Sequence, residues 1–410
     1  MVHPARRGHR CPIRPTGGWL LLIGLLLVVS CGPKPTLVEP PLVRLAPAEF
    51  PLFDDRDGYA GLDRAIAMSL THLRKLPPDR PVTFGEDAYP VAHLIHSLEA
   101  FADLIAAHPS ADTLQRALIE RFRVYRAAGR ADDRQVLFTG YYEPMLPGRL
   151  VPGDGFHVPV HSRPRDLLEI DLSLFDPELK GRRIVGRLEG RAVVPYPDRA
   201  AIVRAPDFLR LAPPVAWVAD EVDLFMMMVQ GSGRIALADG SQRHLQFDGS
   251  NGRPYRSIGR LLIDQGHIDP DEMSMQAIRR HLRRHPEQVR AVLDYNPRYI
   301  FFRPIAQGPL GALGVPLTPK RSLAVDRRLF PLAALAFIDL PVPLLNETGA
   351  IEQWGTHHGF VLAQDTGSAI TGPGRADLFW GGGAAAETAA GHLRHPGRLF
   401  FLVLAPETAQ

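Results

Sequence analysis

The stretch AQDTGSAITGPGRADLFWGGG, residues 363–383, carries two aspartates, Asp365 and Asp377, twelve residues apart. Small residues, glycines and a proline lie between them, and apolar residues stand before Asp365, at 360–362, and after Asp377, at 378–380. This pattern predicts two strands joined by a tight loop, with a carboxylate near the inner end of each strand. Acidic side chains beside glycines and aromatic residues suit a sugar-binding groove, although the same side chains also cap turns.

The composition is that of a globular protein with room for two or three domains: 410 residues, 45% hydrophobic and 22% charged. The 37 glycines and 39 prolines favour loops and short strands. Four arginines within residues 1–30 account for the formal charge of +3, because the remaining chain holds 43 basic and 44 acidic residues, a net of −1. Bulk charge therefore gives no support to a nucleic-acid partner, and none is expected.

Residues 1–30 are predicted to be a lipoprotein signal peptide. A basic segment (6–14) precedes an apolar segment (19–29) that is too short to span a bilayer comfortably. The small Ser30 before Cys31 resembles the bacterial lipobox, in which the cysteine is diacylated and becomes the first mature residue. Gly32 stands where inner-membrane retention usually uses aspartate, so we expect an outer-membrane lipoprotein facing the periplasm. An uncleaved anchor, or a plain signal with a chance cysteine, is the alternative.

Beyond Cys31, residues 31–52 are predicted to form a lipidated, proline-rich tether. Residues 60–129 show the apolar spacing of helices, with Ser110 as the N-cap of a helix over 113–128. Since Cys11 falls in the signal peptide, Cys31 would be the only mature cysteine, which leaves no thiol for a disulfide or for catalysis.

Residues 145–250 contain short β-rich runs separated by prolines and glycines, among them 223–229, and predict a small β domain. The segment GSGRIALADG (231–240) lacks the Lys-Ser/Thr of a phosphate loop and is expected to form a hairpin. Residues 251–296 turn helical, with one helix predicted to begin at Pro270. Residues 297–405 return to strands.

The segment QVLFTGYYEP, residues 135–144, predicts a buried strand that ends at paired aromatic residues. A threonine hydroxyl can hold a sugar oxygen and an aromatic face can stack on a sugar ring, so Thr139 and Tyr141 are candidate binding residues. Core packing of the tyrosines is the alternative. Glu143 precedes Pro144, which favours an extended backbone, and its side chain is a candidate for exposure.

Six segments resemble, in this order, those of the membrane-bound lytic murein transglycosylase A family. They are FTGYYEP, AWVADEVDLFMMMVQGSGRIALADG, SNGRPYRSIGRLLID, NPRYIFFR, GPLGALGVPLTPKRSLAVDRRLFPL and QDTGSAITGPGRADLFWGGG. The resemblance runs from about residue 138 to residue 404. Its last section also resembles the 3D domain, named for three aspartates, which fall here on Asp326, Asp365 and Asp377.

The resemblance implies a mainly β fold with helices: a double-psi β-barrel domain, a smaller inserted β domain, and a glycan-binding groove between them. The barrel domain is expected to combine residues 53–144 with 247–410, including helical additions, and the insert to cover 145–246. The sequence departs from the family pattern at Ala201, where a glutamate is usual, and at Ala333 and Ala334, where a glycine is common.

The resemblance also implies a reaction. A lytic transglycosylase cleaves the β-1,4 bond between N-acetylmuramic acid and N-acetylglucosamine, and the C6 hydroxyl of the muramic acid closes a 1,6-anhydro ring. One carboxyl group can protonate the leaving oxygen and then accept the proton of the C6 hydroxyl. Carried over by motif, Asp377 is this acid/base and Asp365 is the neighbour that tunes or orients it. The expected substrate-binding residues are Thr139, Tyr141, Asp326, Gly367 and Ser368.

No metal and no organic cofactor is expected. The expected partners are peptidoglycan glycan strands, the outer membrane through the lipid anchor, and other cell-wall enzymes, in a role in cell-wall turnover and remodelling. Two other functions stay open: a muramidase that hydrolyses the same glycan with Asp365 and Asp377 as a pair, and a non-catalytic lipoprotein that binds peptidoglycan. A further alternative is that Asp326 and Asp365 only stabilise turns of the barrel.

Overall fold

A computed structural model of the protein describes residues 40–406. The predicted signal peptide, Cys31 and most of the predicted tether lie outside the described residues. Within 40–406, no helix is long and apolar enough to cross a membrane.

The strands, in chain order, are β1 (Leu42–Arg44), β2 (Pro81–Phe84), β3 (Asp87–Pro90), β4 (Phe122–Ala127), β5 (Val136–Glu143), β6 (Met145–Arg149), β7 (Val158–His161), β8 (Leu168–Asp171), β9 (Arg183–Glu189), β10 (Ala192–Pro195), β11 (Pro214–Val218), β12 (Ser232–Ala236), β13 (Gln242–Ser250), β14 (Ile300–Ile305), β15 (Ser322–Ala324), β16 (Leu335–Leu345), β17 (Ile351–Asp365), β18 (Arg375–Gly382) and β19 (Arg394–Leu404). The helices are α1 (Leu62–Leu73), α2 (Val91–Ala106), α3 (Ala111–Arg121), α4 (Arg199–Arg204), α5 (Phe208–Leu211), α6 (Glu221–Gln230), α7 (Ile258–Asp264), α8 (Met275–Arg284), α9 (Val289–Tyr295) and α10 (Ala384–His392).

Six strands close into a barrel, in the order β5, β19, β16, β17, β15, β18 and back to β5. The pairs β18–β5 and β15–β17 are parallel, and the other neighbours are antiparallel. Closure leaves these strands without a free edge, and their apolar core continues into α1 and α2. The closed six-stranded barrel in a mainly β chain with helices confirms the predicted fold class.

A second sheet has the strand order β14, β13, β12, β6, β11, β7 and a core of its own that includes Val160, Ile235 and Phe301. The helices α6 to α9 contribute to a further apolar cluster. This sheet extends beyond residue 246, the predicted end of the insert. The reason is that β14 pairs with β13 from Ser250–Ile300 to His244–Ile305 and satisfies the backbone groups on the second edge of β13.

Residues 223–229, predicted as a β-rich run, lie instead in helix α6. The Oδ1 atom of Asp220 accepts hydrogen bonds from the N–H groups of Val222 (2.7 Å) and Asp223 (3.3 Å), and Gly231 ends the helix with a φ of +80°. The strand prediction was wrong because a short apolar run fits a strand and a buried helix equally well. The capping residues at the two ends, Asp220 and Gly231, favour the helix.

Other local predictions have mixed outcomes. Ser110 is the N-cap of α3, and residues 231–240 contain β12 and the turn of its hairpin with β13, so both predictions are confirmed. The helix predicted over 113–128 ends at Arg121, where β4 begins. The helix predicted from Pro270 begins after Ser274, whose hydroxyl accepts a hydrogen bond from the N–H of Ala277, while Pro270 starts only a short 3-10 turn.

Ala333 occupies a backbone position that suits glycine, as the family pattern indicated. Its φ is +63°, its side chain is buried, and its N–H donates to the carbonyl of Ala363 at 2.7 Å. A left-handed conformation costs a non-glycine residue about 1–2 kcal/mol. We expect Ala333→Gly to keep the free energy of unfolding or raise it by up to about 1 kcal/mol, because relief of this strain offsets the lost methyl and the added freedom of the unfolded chain.

Ala336→Gly is the matched control for this prediction. Ala336 is equally buried but lies within β16, so its replacement relieves no strain and is expected to cost about 1–2 kcal/mol. Urea unfolding of both variants measures the difference. Equal losses in the two variants would contradict a strained Ala333.

Candidate active site

The two aspartates of the opening stretch lie on neighbouring sides of one short strand. Asp365 ends β17, and Asp377 lies near the start of β18. Between these strands runs β15, where Ala324 is the register partner of Asp365 on one side and of Asp377 on the other. The predicted strand, loop and strand are therefore confirmed, and β15 brings the two carboxylates into one region.

Asp377 is half-buried and receives a hydrogen bond from the neighbouring strand. Parallel pairing places Thr139 of β5 opposite Asp377, and the Thr139 hydroxyl donates to Asp377 Oδ1 at 2.9 Å. Arg375 donates from Nη2 to the same hydroxyl oxygen at 3.1 Å. Burial raises the pKa of Asp377 to about 7, against the opposing effects of Thr139 and Arg375, and the nearby Asp365 adds to the rise. Asp377 can therefore hold a proton near neutral pH.

Asp365 is surrounded by three hydrogen-bond donors. Its Oδ2 accepts from the Tyr141 hydroxyl at 2.9 Å, and its Oδ1 accepts from the N–H groups of Ala312 (2.9 Å) and Thr366 (2.8 Å). Burial raises the pKa of Asp365 to about 6, while these donors stabilise the ionised form and limit the rise. The two carboxyl groups thus differ in their donors: three hold the anion of Asp365, and one holds that of Asp377. Donors to the anion favour ionisation, so this difference suits Asp365 as the carboxylate and Asp377 as the acid.

Tyr141 contacts both the Asp365 carboxylate and the aromatic ring of Phe379. Its ring centroid lies 5.2 Å from that of Phe379. Burial and the charges of Asp365 and Asp377 raise its pKa well above the usual range, so the hydroxyl remains a donor. Gly140, the residue before Tyr141, packs closely against α10. A Cβ at this position would lie 2.6 Å from the Cα of Ala390, so a side chain there would clash.

Three contributors to the site were missed in the sequence. Arg375 stands two residues before Asp377 in the same strand, so strand alternation could have placed both side chains on one face. The other two are the Ala312 backbone and Gln246. Gln246 donates from Nε2 to the Leu310 carbonyl (2.9 Å) and accepts from the Leu310 N–H at Oε1 (3.0 Å), and thereby holds the loop that presents Ala312. A contact spanning 64 residues has no local signal.

The remaining predicted binding residues, Asp326, Gly367 and Ser368, lie outside the hydrogen bonds around Asp365 and Asp377. Asp326 is buried, and its oxygens accept hydrogen bonds from Arg328 and from the N–H of Gly372. Chiefly through Arg328, the pKa of Asp326 falls to about 2. This geometry favours a role in pinning the turn. Gly367 and Ser368 are exposed between β17 and β18. Substrate contact by these three residues stays a prediction.

Glu143, a candidate for exposure, is instead buried between the barrel and the second sheet. Arg234 Nε lies 3.0 Å from its Oε2, and His244 Nδ1 lies 3.3 Å from its Oε1. The expectation was wrong because β6, which follows at once, pairs with β12 and brings Arg234 beside Glu143. In the part of the chain that is described, no group of three or more His, Cys, Asp or Glu side chains could hold a metal ion.

Replacement of Thr139 by valine is expected to move the pH profile of the activity. Loss of the donor removes a bond that stabilises the Asp377 anion, so the pKa of Asp377 rises from about 7. Activity that needs the protonated form then persists to higher pH. A hydrogen bond to a charged group contributes about 1.5–3 kcal/mol, so the alkaline limb should move up by about one pH unit. Rates of digestion of murein, the substrate that the resemblance implies, measure this alkaline limb between pH 5 and 9.

Thr139→Ser is the control, because it keeps the hydroxyl and should keep the wild-type profile. A valine variant whose activity falls equally at every pH would contradict this role of Thr139.

A closed barrel that holds two neighbouring carboxyl groups, both of raised pKa, is typical of an enzyme that works by acid/base catalysis. The family models of the MltA specific insert domain and of the 3D domain match residues 137–303 and 321–403. The chain is 34% identical over 275 residues to membrane-bound lytic murein transglycosylase A of Escherichia coli K12, and the alignment spans 66% of each protein, just under two thirds.

Solved structures agree with these matches. One is the membrane-bound lytic murein transglycosylase from Agrobacterium tumefaciens, with a TM-score of 0.72, 31% identity, and coverage of 88% of this chain and 97% of that chain. Another is E. coli MltA with bound chitohexaose, with a TM-score of 0.67, 26% identity, and coverage of 90% and 96%. Membrane-bound lytic murein transglycosylase A of Vibrio cholerae is 30% identical over 295 residues, which span 70% of this chain and 71% of that protein. The chain therefore belongs to the membrane-bound lytic murein transglycosylase A family, and the predicted resemblance is confirmed.

Proposed function

We propose that the protein cleaves the β-1,4 bond between N-acetylmuramic acid and N-acetylglucosamine, with Asp377 first as general acid and then as general base. The observation that carries this proposal is the state of Asp377. It is a half-buried carboxyl with a pKa of about 7, and its Oδ1 is held by the Thr139 hydroxyl. Its other oxygen, Oδ2, accepts no hydrogen bond from residues 40–406 and is the atom offered to the glycosidic oxygen.

The two proton transfers follow from this arrangement. Protonated Asp377 gives its proton to the leaving oxygen as the bond to C1 breaks, and positive charge develops at C1. Asp365, whose anion is held by three hydrogen-bond donors, stabilises this charge. The Asp377 carboxylate left by the first step then takes the proton of the C6 hydroxyl as that oxygen attacks C1, which restores the acid.

The binding surface proposed for the glycan is the groove between the barrel and the second sheet. Thr139 and Tyr141 lie at its barrel side, and the Gln246–Leu310 contact ties the second sheet to the loop that reaches Asp365. A solved relative holds chitohexaose, a linear amino-sugar oligomer, which supports a glycan-strand substrate for this chain. Asp326, Gly367 and Ser368 are proposed to lie along the same path.

The place of action proposed is the periplasmic face of the outer membrane. The family is membrane-bound by name, and a lipobox-like Ser30-Cys31-Gly32 stands before the proline-rich segment. Diacylation of Cys31 would give stable anchoring, since more than one acyl chain is needed for it. Other cell-wall enzymes are proposed as partners there, in turnover and remodelling of the wall.

Mass spectrometry of products from purified sacculi tests the reaction. The expected products end in 1,6-anhydromuramic acid, which is lighter by one water than a reducing end. Products with reducing ends only would identify a muramidase and overturn the transglycosylase proposal. Binding to sacculi without release of soluble fragments would identify a non-catalytic lipoprotein.

A further inference from the structure

A cavity of about 220 Å³ lies beside the second sheet and contains no residue of the candidate active site. It opens between β7, α4, α6 and α9 and has mostly apolar walls. Its exposed mouth includes Val203 and Leu209, and Trp217 forms part of a wall. It is smaller than the roughly 300–1,000 Å³ of pockets for drug-sized ligands, so only a small molecule fits.

Arg199 lines this cavity with a nearly buried guanidinium, only 5% exposed. Its Nε and Nη2 donate to the carbonyls of Asn296 (3.2 Å) and Arg298 (2.7 Å), and its Cζ lies 4.6 Å from the ring centroid of Phe225. Among residues 40–406, no carboxylate forms a salt bridge with it and Nη1 has no hydrogen-bond partner. A buried charge without a counter-ion is costly, so an anion beside Nη1 would be stabilised strongly.

No charged group that lines the cavity pairs directly with Arg199, and the carboxylates of Asp294 and Glu221 act on it only from a distance. Arg290 Nη2 is paired with Glu221 at the rim, so these two charges cancel. Burial lowers the pKa of His161 to about 4, which keeps that side chain neutral, and its Nδ1 is engaged with the Tyr299 hydroxyl at 2.8 Å. Asp294, outside the lining, is paired with Arg204. The cavity therefore has one net positive charge at the guanidinium and apolar walls around it.

We propose that this cavity is a second ligand site, which binds a small carboxylate with an apolar body and places the carboxylate against Arg199. Two sources have this chemistry: the C-terminus of a short peptide with small side chains, and a short aliphatic acid. The site is independent of the catalytic proposal, because it shares no residue with it.

Isothermal titration of the purified protein with N-acetyl-D-alanyl-D-alanine and with hexanoate tests the site. Each carboxylate is compared with its neutral amide. The carboxylates are expected to bind at least about tenfold more tightly than the amides, since a charge-assisted hydrogen bond is about twice as strong as a neutral one. Tighter binding of the peptide assigns the ligand to peptide C-termini, and tighter binding of hexanoate assigns it to aliphatic acids.

Leu209→Asp and Leu211→Asp form a matched pair for the same titration. Both leucines lie on α5 and are 38% and 36% exposed, but only Leu209 lines the cavity. Leu209→Asp should weaken carboxylate binding at least about tenfold by placing a like charge at the mouth, and Leu211→Asp should not. Absence of binding by either carboxylate, equal binding of the amides, or equal effects of the two variants would overturn the proposal.

Discussion

Asp377→Asn is expected to lower the rate at which soluble fragments are released from sacculi by at least about 10³-fold, because general acid and general base catalysis each contribute about 10²–10⁴-fold. In the proposed reaction one carboxyl supplies both. The asparagine side chain has nearly the same shape and its oxygen can still accept the Thr139 hydrogen bond. The fold should therefore be kept, and thermal unfolding should show a midpoint close to that of the wild type.

Asp365→Asn is the comparison that separates the two carboxyl groups. Asp365 is proposed to stabilise charge and to raise the pKa of Asp377, not to transfer the proton. Its amide variant should lose less activity, and its pH profile should change: without the negative neighbour, the pKa of Asp377 falls, so the alkaline limb moves to lower pH. A variant pair in which Asp365→Asn is inactive and Asp377→Asn retains a tenth of the activity would reverse the assignment.

Much of this site follows from the sequence because its parts are local. The strand, loop and strand around Asp365 and Asp377 come from an alternation of apolar and turn-forming residues within 21 positions. Thr139 and Tyr141 lie two residues apart on one face of a strand, which alternation also predicts. The assignment of Asp377 as the acid rests on the family resemblance, and the burial of its carboxyl group gives that assignment a physical reason.

The long-range register could not be predicted in the same way. The two carboxylates come together because Ala324 pairs with both of them, and β15, the strand that contains it, is only three residues long. The Gln246–Leu310 contact and the extension of the second sheet by β14 depend equally on which distant strands meet. The apolar run in α6 shows that a local sequence pattern can also be insufficient, since hydrophobicity alone could not distinguish a helix from a strand there.

The buried ion pair between Asp55 and Arg321 holds together the strands that carry the site. Arg321 is 0% exposed and binds Asp55 through two hydrogen bonds of 2.6 and 2.9 Å. It also donates to the carbonyl of Phe360 in β17, while the N–H of Phe360 donates to Asp55. Arg321 stands directly before β15. The segment before α1 is thus fixed to both strands that meet at Ala324 and Asp365.

Asp55→Ala is expected to reduce the free energy of unfolding by about 3–5 kcal/mol, because removal of one partner leaves the other charge buried and uncompensated. That is a large share of a total stability of about 5–15 kcal/mol. Urea unfolding at pH 7 measures the loss. Asp54→Ala is the control, since this neighbouring carboxylate is half-buried and forms no ion pair within residues 40–406. It should cost no more than about 0.5 kcal/mol.

The pH dependence of the difference in unfolding free energy between wild type and Asp55→Ala identifies the cause of that difference. Burial alone would raise the pKa of Asp55, but Arg321 and the N–H groups of Phe360 and Tyr59 outweigh it and lower the pKa below 3.8. A carboxyl with a lowered pKa in the folded state stabilises the fold fully above its unfolded value, and this stabilisation is lost as pH falls through the folded value. The gap between wild type and Asp55→Ala should therefore be constant from pH 5 to 8 and narrow below pH 3.8. A gap that persists unchanged at low pH would mean that lost packing, and not the ion pair, destabilises the variant.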